Sequence, residues 1–150
     1  ISGTSANDGN WHHIVGVRDG NNLRLYVDGS EDGNSPTDIT SYGDIDISDK
    51  LFIGAGTNGP GGSPGNFFTG NIDEVAVWDV ALDADAVSAI YNSGTPITLD
   101  ANLGNYDNSS SLQAWWRFEE GSGTSATDSS TNSNTGTLTN GPAYSTDVPS

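Results

Sequence analysis

Two groups of oxygen-bearing side chains have the spacing of a binding site. Asp73 and Glu74 stand side by side in GNIDEVAVWD, residues 70–79, where Ile72, Val75, Val77 and Trp78 mark a buried strand. Strand side chains alternate between faces, so parity puts Asp73 with Val75 and Val77 unless a bulge intervenes. A buried ionised carboxylate is costly unless it is paired, hydrogen-bonded or bound to a metal. The stretch is therefore a structural hub or a site. The second group, Asp128, Ser130, Asn132 and Asn134, falls at i, i+2, i+4 and i+6, an alternation of oxygen donors that suits Ca²⁺. The same residue types also build Asx-turns, with Asp73 accepting backbone N–H groups, and that arrangement needs no metal.

Other chemistries fail on geometry. His12 and His13 are adjacent in WHHIVGVR, so they point to opposite faces of a strand and cannot share a metal. DGSEDG, residues 28–33, opens like an EF-hand loop, but its twelfth position is Ile39 and no helices flank it. GGSPG, residues 61–65, fits G-x-S-x-G, but a nucleophile elbow needs a strand before the serine and a helix after it. Retaining glycoside hydrolysis needs two carboxylates about 5–5.5 Å apart across a concave face. The only glutamates are Glu31, Glu74, Glu119 and Glu120, and strand neighbours such as Asp73 and Glu74 have the wrong geometry. No catalytic residue is assigned, and the chain is read as a non-enzyme.

Sugar recognition combines an aromatic platform with amide and charged side chains that fix hydroxyls, commonly on loops at a sandwich edge. The residues of that type are Tyr42, Tyr106 and, in the glycine-rich loop, Asn58, Asn66 and Phe67. Trp115 is a further candidate. It lies on the strand face opposite Trp116, beside Arg117, and is exposed if Trp116 is core.

Composition limits the partners. Twenty acidic residues against four basic ones give a formal net charge of −16, which repels nucleic-acid backbones and anionic membranes. No apolar run approaches the ~20 residues of a membrane span. The chain has neither cysteine nor methionine, so disulfides, thiolates and Cys-metal sites are excluded. The missing initiator Met marks a processed chain or a section of a longer one, and a piece of a larger protein is the preferred reading.

The elements expected around these residues are mostly strands. WHHIVGVR, residues 11–18, and the run from Leu23 to Val27 alternate apolar with polar residues across an Asp19-Gly20-Asn21-Asn22 turn, which predicts a β-hairpin. Further strands are expected near 44–47, at 51–53, across 70–79, at 112–118, near 136–138 and around 143–144. GAGTNGPGGSPGN reads as irregular loop. One helix is predicted in LDADAVSAIYNSGTP, with Asp83 as N-cap, Ala86, Val87, Ile90 and Tyr91 on its apolar stripe, and Gly94 and Pro96 as stops. Residues 95–111 read as a linker. An all-β antiparallel β-sandwich with one short helix follows.

Four motifs in order sharpen this: Asn10-Trp11-His12-His13-Ile14, Leu23-Arg24-Leu25-Tyr26-Val27-Asp28-Gly29, Phe68-Thr69-Gly70-Asn71-Ile72-Asp73-Glu74-Val75, and the helix from Ala81-Leu82 to Tyr91. They resemble the laminin-G-like, concanavalin A-like jelly-roll family over residues 1–94. WRFEEGSGT, residues 116–124, with Asp128-Ser129-Ser130 and Gly136-Thr137-Leu138, resembles the opening of such a domain, displaced to the end of the chain. The family's middle strands are absent. The resemblance thus implies the second half of one jelly roll (1–94), a linker (95–111) and the start of a further or permuted repeat (112–150). Three arrangements fit: a fragment of a tandem array, a chain completed by its neighbours through strand exchange, or a reduced permuted sandwich.

In that family the acidic pair lies near the seam of first and last strands, where calcium is often bound. The resemblance therefore implies a structural Ca²⁺ site shared by Asp73, Glu74, Asp128, Ser130, Asn132 and Asn134. It also implies a non-catalytic adhesion or carbohydrate-binding module, extracellular or on a virion surface. The partners would be glycans or surface proteins, with neighbouring repeats or identical chains alongside. The alternative is a structural subunit of a fibre, sheath or phage virion assembled by strand complementation.

Overall fold

The computed structural model describes residues 3, 5–43, 50–57, 59 and 61–149. The strand expected near 44–47 and the ligand candidate Asn58 lie outside the described residues.

The predicted hairpin forms between β1 (Ile14–Asp19) and β2 (Asn22–Val27), with Ile14 opposite Val27 and Asp19 opposite Asn22. It starts later than the sequence suggested, because Trp11, His12 and His13 precede the ladder. The far side of β2 pairs with two short strands, β3 (Ser30–Glu31) and β4 (Thr37–Asp38). Leu51–Ile53 is not a strand, and Leu51 is exposed. Regular pairing appears instead inside the glycine-rich loop, where β5 (Gly56–Thr57) meets β6 (Pro64–Gly65).

The strand expected over 70–79 is confined to β7 (Val75–Trp78). It pairs antiparallel with β8 (Leu112–Trp116), so the segment after residue 111 joins the strand that precedes the helix. The register puts Val75 opposite Trp116 and Ala76 opposite Trp115, with a bulge between Val77 and Trp78. β8 stops before Phe118, whose positive φ of 55° ends the extended run. β9 (Ser125–Ala126) pairs with β10 (Gly136–Thr137), and 143–144 is not a strand.

The helix α1 spans Ala84–Tyr91. Asp83 caps it by accepting the Ala86 N–H at 2.8 Å, satisfying one of the first-turn donors that lack an intrahelical partner. Asn92, in the left-handed region, ends it two residues before the expected glycine stop. Ala86, Val87 and Ile90 face inward. A Cβ on Gly29 (φ 74°) would lie 2.7 Å from Cδ1 of Tyr91, so only glycine lets the β2–β3 turn approach the helix.

The main core joins Val17 and Tyr26 of the hairpin, Leu82, the helix stripe, Leu112 and Trp115. Residues 95–111 also contribute to it, so they are not a linker in packing terms. Leu99 is buried, and Tyr106 is fully buried, donating its hydroxyl to the Leu99 carbonyl at 2.8 Å and accepting Trp78 Nε1–H at 3.1 Å. A second cluster of Ala114, Trp116 and Ala126 covers the other face of β7–β8, completing an antiparallel β-sandwich.

Candidate functional site

Glu74 lies two residues before Ala76, and Ala76 pairs with Trp115, so the Glu74 carboxylate reaches the Trp115 side of the seam. Trp115 Nε1–H donates to Oε2 at 2.7 Å, and Arg117 Nε stands 3.6 Å from Oε1. The Arg117 guanidinium lies 5.2 Å from the Trp115 ring centroid, a cation–π contact, and reaches Glu119 at 2.6 Å. Burial pushes the Glu74 carboxyl above its usual range, while the Trp115 donor and the Arg117 charge oppose that rise. Alternation places Glu74 with Ala76 and Trp78, the face that packs on the main core, whereas Val77 on the other face is 37% exposed. Glu74, at a positive φ of 52°, is the carboxylate that enters the seam. Asp73 accepts the Glu74 N–H at 3.1 Å, and burial raises its carboxyl too.

The Asp128 loop meets the same strand from the other side. Trp115 N–H and Ser130 N–H donate to Oδ1 at 2.9 and 2.8 Å, while Asn134 N–H and Ser130 Oγ–H donate to Oδ2 at 2.7 and 2.9 Å. Burial would raise the Asp128 carboxyl, but these donors, Trp115 N–H foremost, hold it below the usual carboxylate range. Asn132 and Asn134 turn their amide N–H groups onto the Gln113 carbonyl at 3.1 and 2.9 Å, and Trp116 Nε1–H donates to the Asn134 carbonyl at 2.8 Å.

These residues do not fit the shared calcium site. The Asp128 oxygens already accept four donors, the asparagines present N–H rather than oxygen, and Glu74 belongs to Trp115 and Arg117. Among the described residues no three His, Asp or Glu side chains are placed to hold one metal ion. The loop is stitched to β8 by turn chemistry.

The ligand candidates separate. Tyr42 is 79% exposed and Phe67 59% exposed, each on its own loop. Asn66 is exposed beside Phe67, with its Cβ 3.8 Å from where a Cβ on Gly56 would sit. Trp115 is not the exposed platform expected, being only 5% exposed in the main core. It does lie opposite Trp116, but both faces of β8 are covered. Tyr106 is core as well. Arg117 remains partly exposed, occupied with Glu74, Glu119 and the indole.

Sequence reasoning missed a histidine held between two carboxylates. The hairpin register brings Asp28 beside the 12–13 segment. His12 Nδ1 lies 2.8 Å from Asp28 and Nε2 3.1 Å from Asp8, while Asp28 also accepts the His13 N–H at 2.9 Å. The Asp8–His12 spacing of four residues was the available signal. Asp28, then Asp8, hold the His12 imidazolium above its usual pKa. A raised folded-state pKa adds stability that is complete below the unfolded value of about 6.5 and is lost as pH rises through the folded value. His12→Gln should therefore melt below the parent at about pH 6 and level with it at about pH 9. An equal difference at both pH values would refute the charged clasp.

A model described as the concanavalin A-like lectin/glucanases superfamily, of laminin G type, matches residues 1–88. The chain belongs to this family. Among curated proteins, the laminin G-like domain is similar to "Sushi, von Willebrand factor type A, EGF and pentraxin domain-containing protein 1" of Rattus norvegicus, 32% identical over 93 residues. The match covers 59% of this chain and 3% of the relative, so the chain spans a small part of that protein. No solved structure matches it. The family match ends inside α1, so the β8 strand that closes the laminin G-like seam lies beyond it.

Proposed function

We propose that this laminin G-like domain is a non-catalytic, extracellular module of adhesion type that binds a glycan through aromatic side chains on its loops. The observation that carries the reading is the exposure of Tyr42 and Phe67, whose rings are left open to solvent while the four tryptophans lie elsewhere on the chain. An exposed ring with an amide beside it, as in Phe67 and Asn66, offers a stacking face and a hydroxyl partner. Similarity to part of a protein whose name gives it several domain types supports a modular setting. Glu74, a half-buried carboxylate of the seam, has both oxygens engaged, which supports binding without turnover.

A glycan array probed with the parent and with Tyr42→Ala and Phe67→Ala tests the reading. Loss of at least about tenfold in affinity for a bound glycan is expected from one of the two variants, equivalent to about 1.4 kcal/mol. Both substitutions are on the surface, so melting temperatures should stay close to the parent. Full retention of binding by both variants, or no glycan bound by the parent, would overturn it.

A further inference from the structure

A groove of about 1320 Å³ lies between β1 and β7. It touches residues 14–18 and 75–79 without a gap. A cavity facing the flat of a strand meets alternate residues, whereas one facing its edge meets every residue. The groove therefore runs along two strand edges. The topology agrees: among the described residues β1 pairs only with β2, and β7 pairs only with β8, so each keeps one edge of its ladder open. Open edges expose rows of backbone N–H and C=O groups that template a further strand.

The side chains around the groove define what would lie in it. Ile14, Val77 and Val80 line it and are 52%, 37% and 43% exposed, an apolar surface turned toward the empty space. Its carboxylates are Asp28, Asp73, Glu74 and Asp79, against one guanidinium, Arg18, and two histidines. Asp28 is met by His12, while Asp73 accepts the Glu74 N–H, with the Arg117 charge nearby. A second copy of this chain would bring a further −16 of charge to an acidic groove.

We propose that this groove receives one extended polypeptide strand from outside these 150 residues, alternating apolar with Lys- or Arg-bearing positions. The strand would hydrogen-bond to both open edges, as in recognition by β-strand addition. Its apolar side chains would cover Ile14, Val77 and Val80, and its cations would face Asp73 and Asp79. It would also join the β1–β2 sheet to the β7–β8 pair in one continuous sheet. The β7–β8 ladder has only two strands, and such pairs are marginal alone, so occupancy should stabilise that pair by tying it to the β1–β2 sheet. The inference is independent of the loop-aromatic reading, because neither Tyr42 nor Phe67 lines the groove.

The test uses the full chain and a panel of ten-residue peptides alternating Val, Ile or Leu with Thr, Lys or Arg. Matched panels carry Glu for Lys and Arg, or N-methylated backbone amides. Titration calorimetry and amide hydrogen exchange are the readouts. Saturable one-to-one binding is expected, with exchange slowed in both 14–18 and 75–78. The Glu and N-methylated panels should bind at least about tenfold more weakly. Ile14→Lys, at an exposed position, should fold normally and lose affinity for the basic panel. No protection of the two edges by any peptide would overturn the proposal, as would equal binding of the N-methylated or Glu panels. Sedimentation showing a dimer of the free chain that protects both edges would assign the groove to a second copy and also overturn it.

Discussion

Trp115→Ala should destabilise the domain by about 4 kcal/mol, because large aromatic truncations in cores cost 3–5 kcal/mol. Trp115 packs among Val87, Leu99, Leu112 and Tyr106 in the main core and is 5% exposed. Its removal leaves a cavity between the seam and the helix, where packed neighbours relax only partly. It also strips Glu74 of its closest donor, leaving a half-buried carboxylate held by Arg117 alone. Trp115→Phe separates the two effects. It keeps most of the apolar volume and removes the indole N–H, so a loss of about 1–3 kcal/mol is expected. Equilibrium denaturation followed by far-UV circular dichroism checks both. A loss under 1 kcal/mol for Trp115→Ala, about that of a surface change, would return Trp115 to the surface and with it the idea of a ligand platform. Domains of this size have only about 5–15 kcal/mol of net stability, so the alanine variant should be close to unfolding.

Asp128→Ala should cost about 3 kcal/mol, as hydrogen bonds to charged groups contribute about 1.5–3 kcal/mol and a buried donor left unmet adds its desolvation cost. Three backbone N–H groups and one hydroxyl converge on this carboxylate, and one of them, Trp115 N–H, belongs to the strand closing the seam. Its loss should free the 128–134 loop from β8 and expose the Trp116 face. The pH dependence follows from its lowered pKa. A depressed carboxyl contributes stability that is present above the unfolded value of about 3.9 and is lost as pH falls through the folded one. The gap between parent and Asp128→Ala should hold from about pH 5 to 8 and close in strong acid. Melts in calcium and in EDTA should coincide, since the carboxylate is already saturated. A rise of several degrees in calcium would mean that the loop opens to bind a cation.

Glu74 shows what parity can and cannot place. Alternation groups Asp73 with Val75 and Val77 and Glu74 with Ala76, but which of the two faces lies on the main core depends on the segment packed there. The spacing of the metal-ligand candidates has a similar limit. Oxygen spacing along a chain states which atoms are available, while the direction of each amide and the number of N–H groups competing for each carboxylate depend on the strand lying beside them.

The sequence by itself determined the β1–β2 hairpin, the capped helix and the membership of a jelly-roll family, because each is encoded within a few residues: a DGNN turn between alternating runs, an Asp83 cap before an i, i+3, i+4 stripe, and motifs of contiguous residues. It also determined the net charge of −16, which repels nucleic-acid backbones, since net charge needs no fold. Only the tertiary structure decided that Trp115 is core, that residues 95–111 anchor Leu99 and Tyr106 rather than link two domains, that Asp8 and Asp28 clasp His12, and that two strand edges face one groove. Those outcomes depend on which distant segment arrives at each face, and burial, hydrogen-bond partners and edge pairing are properties of that arrival rather than of the residues alone.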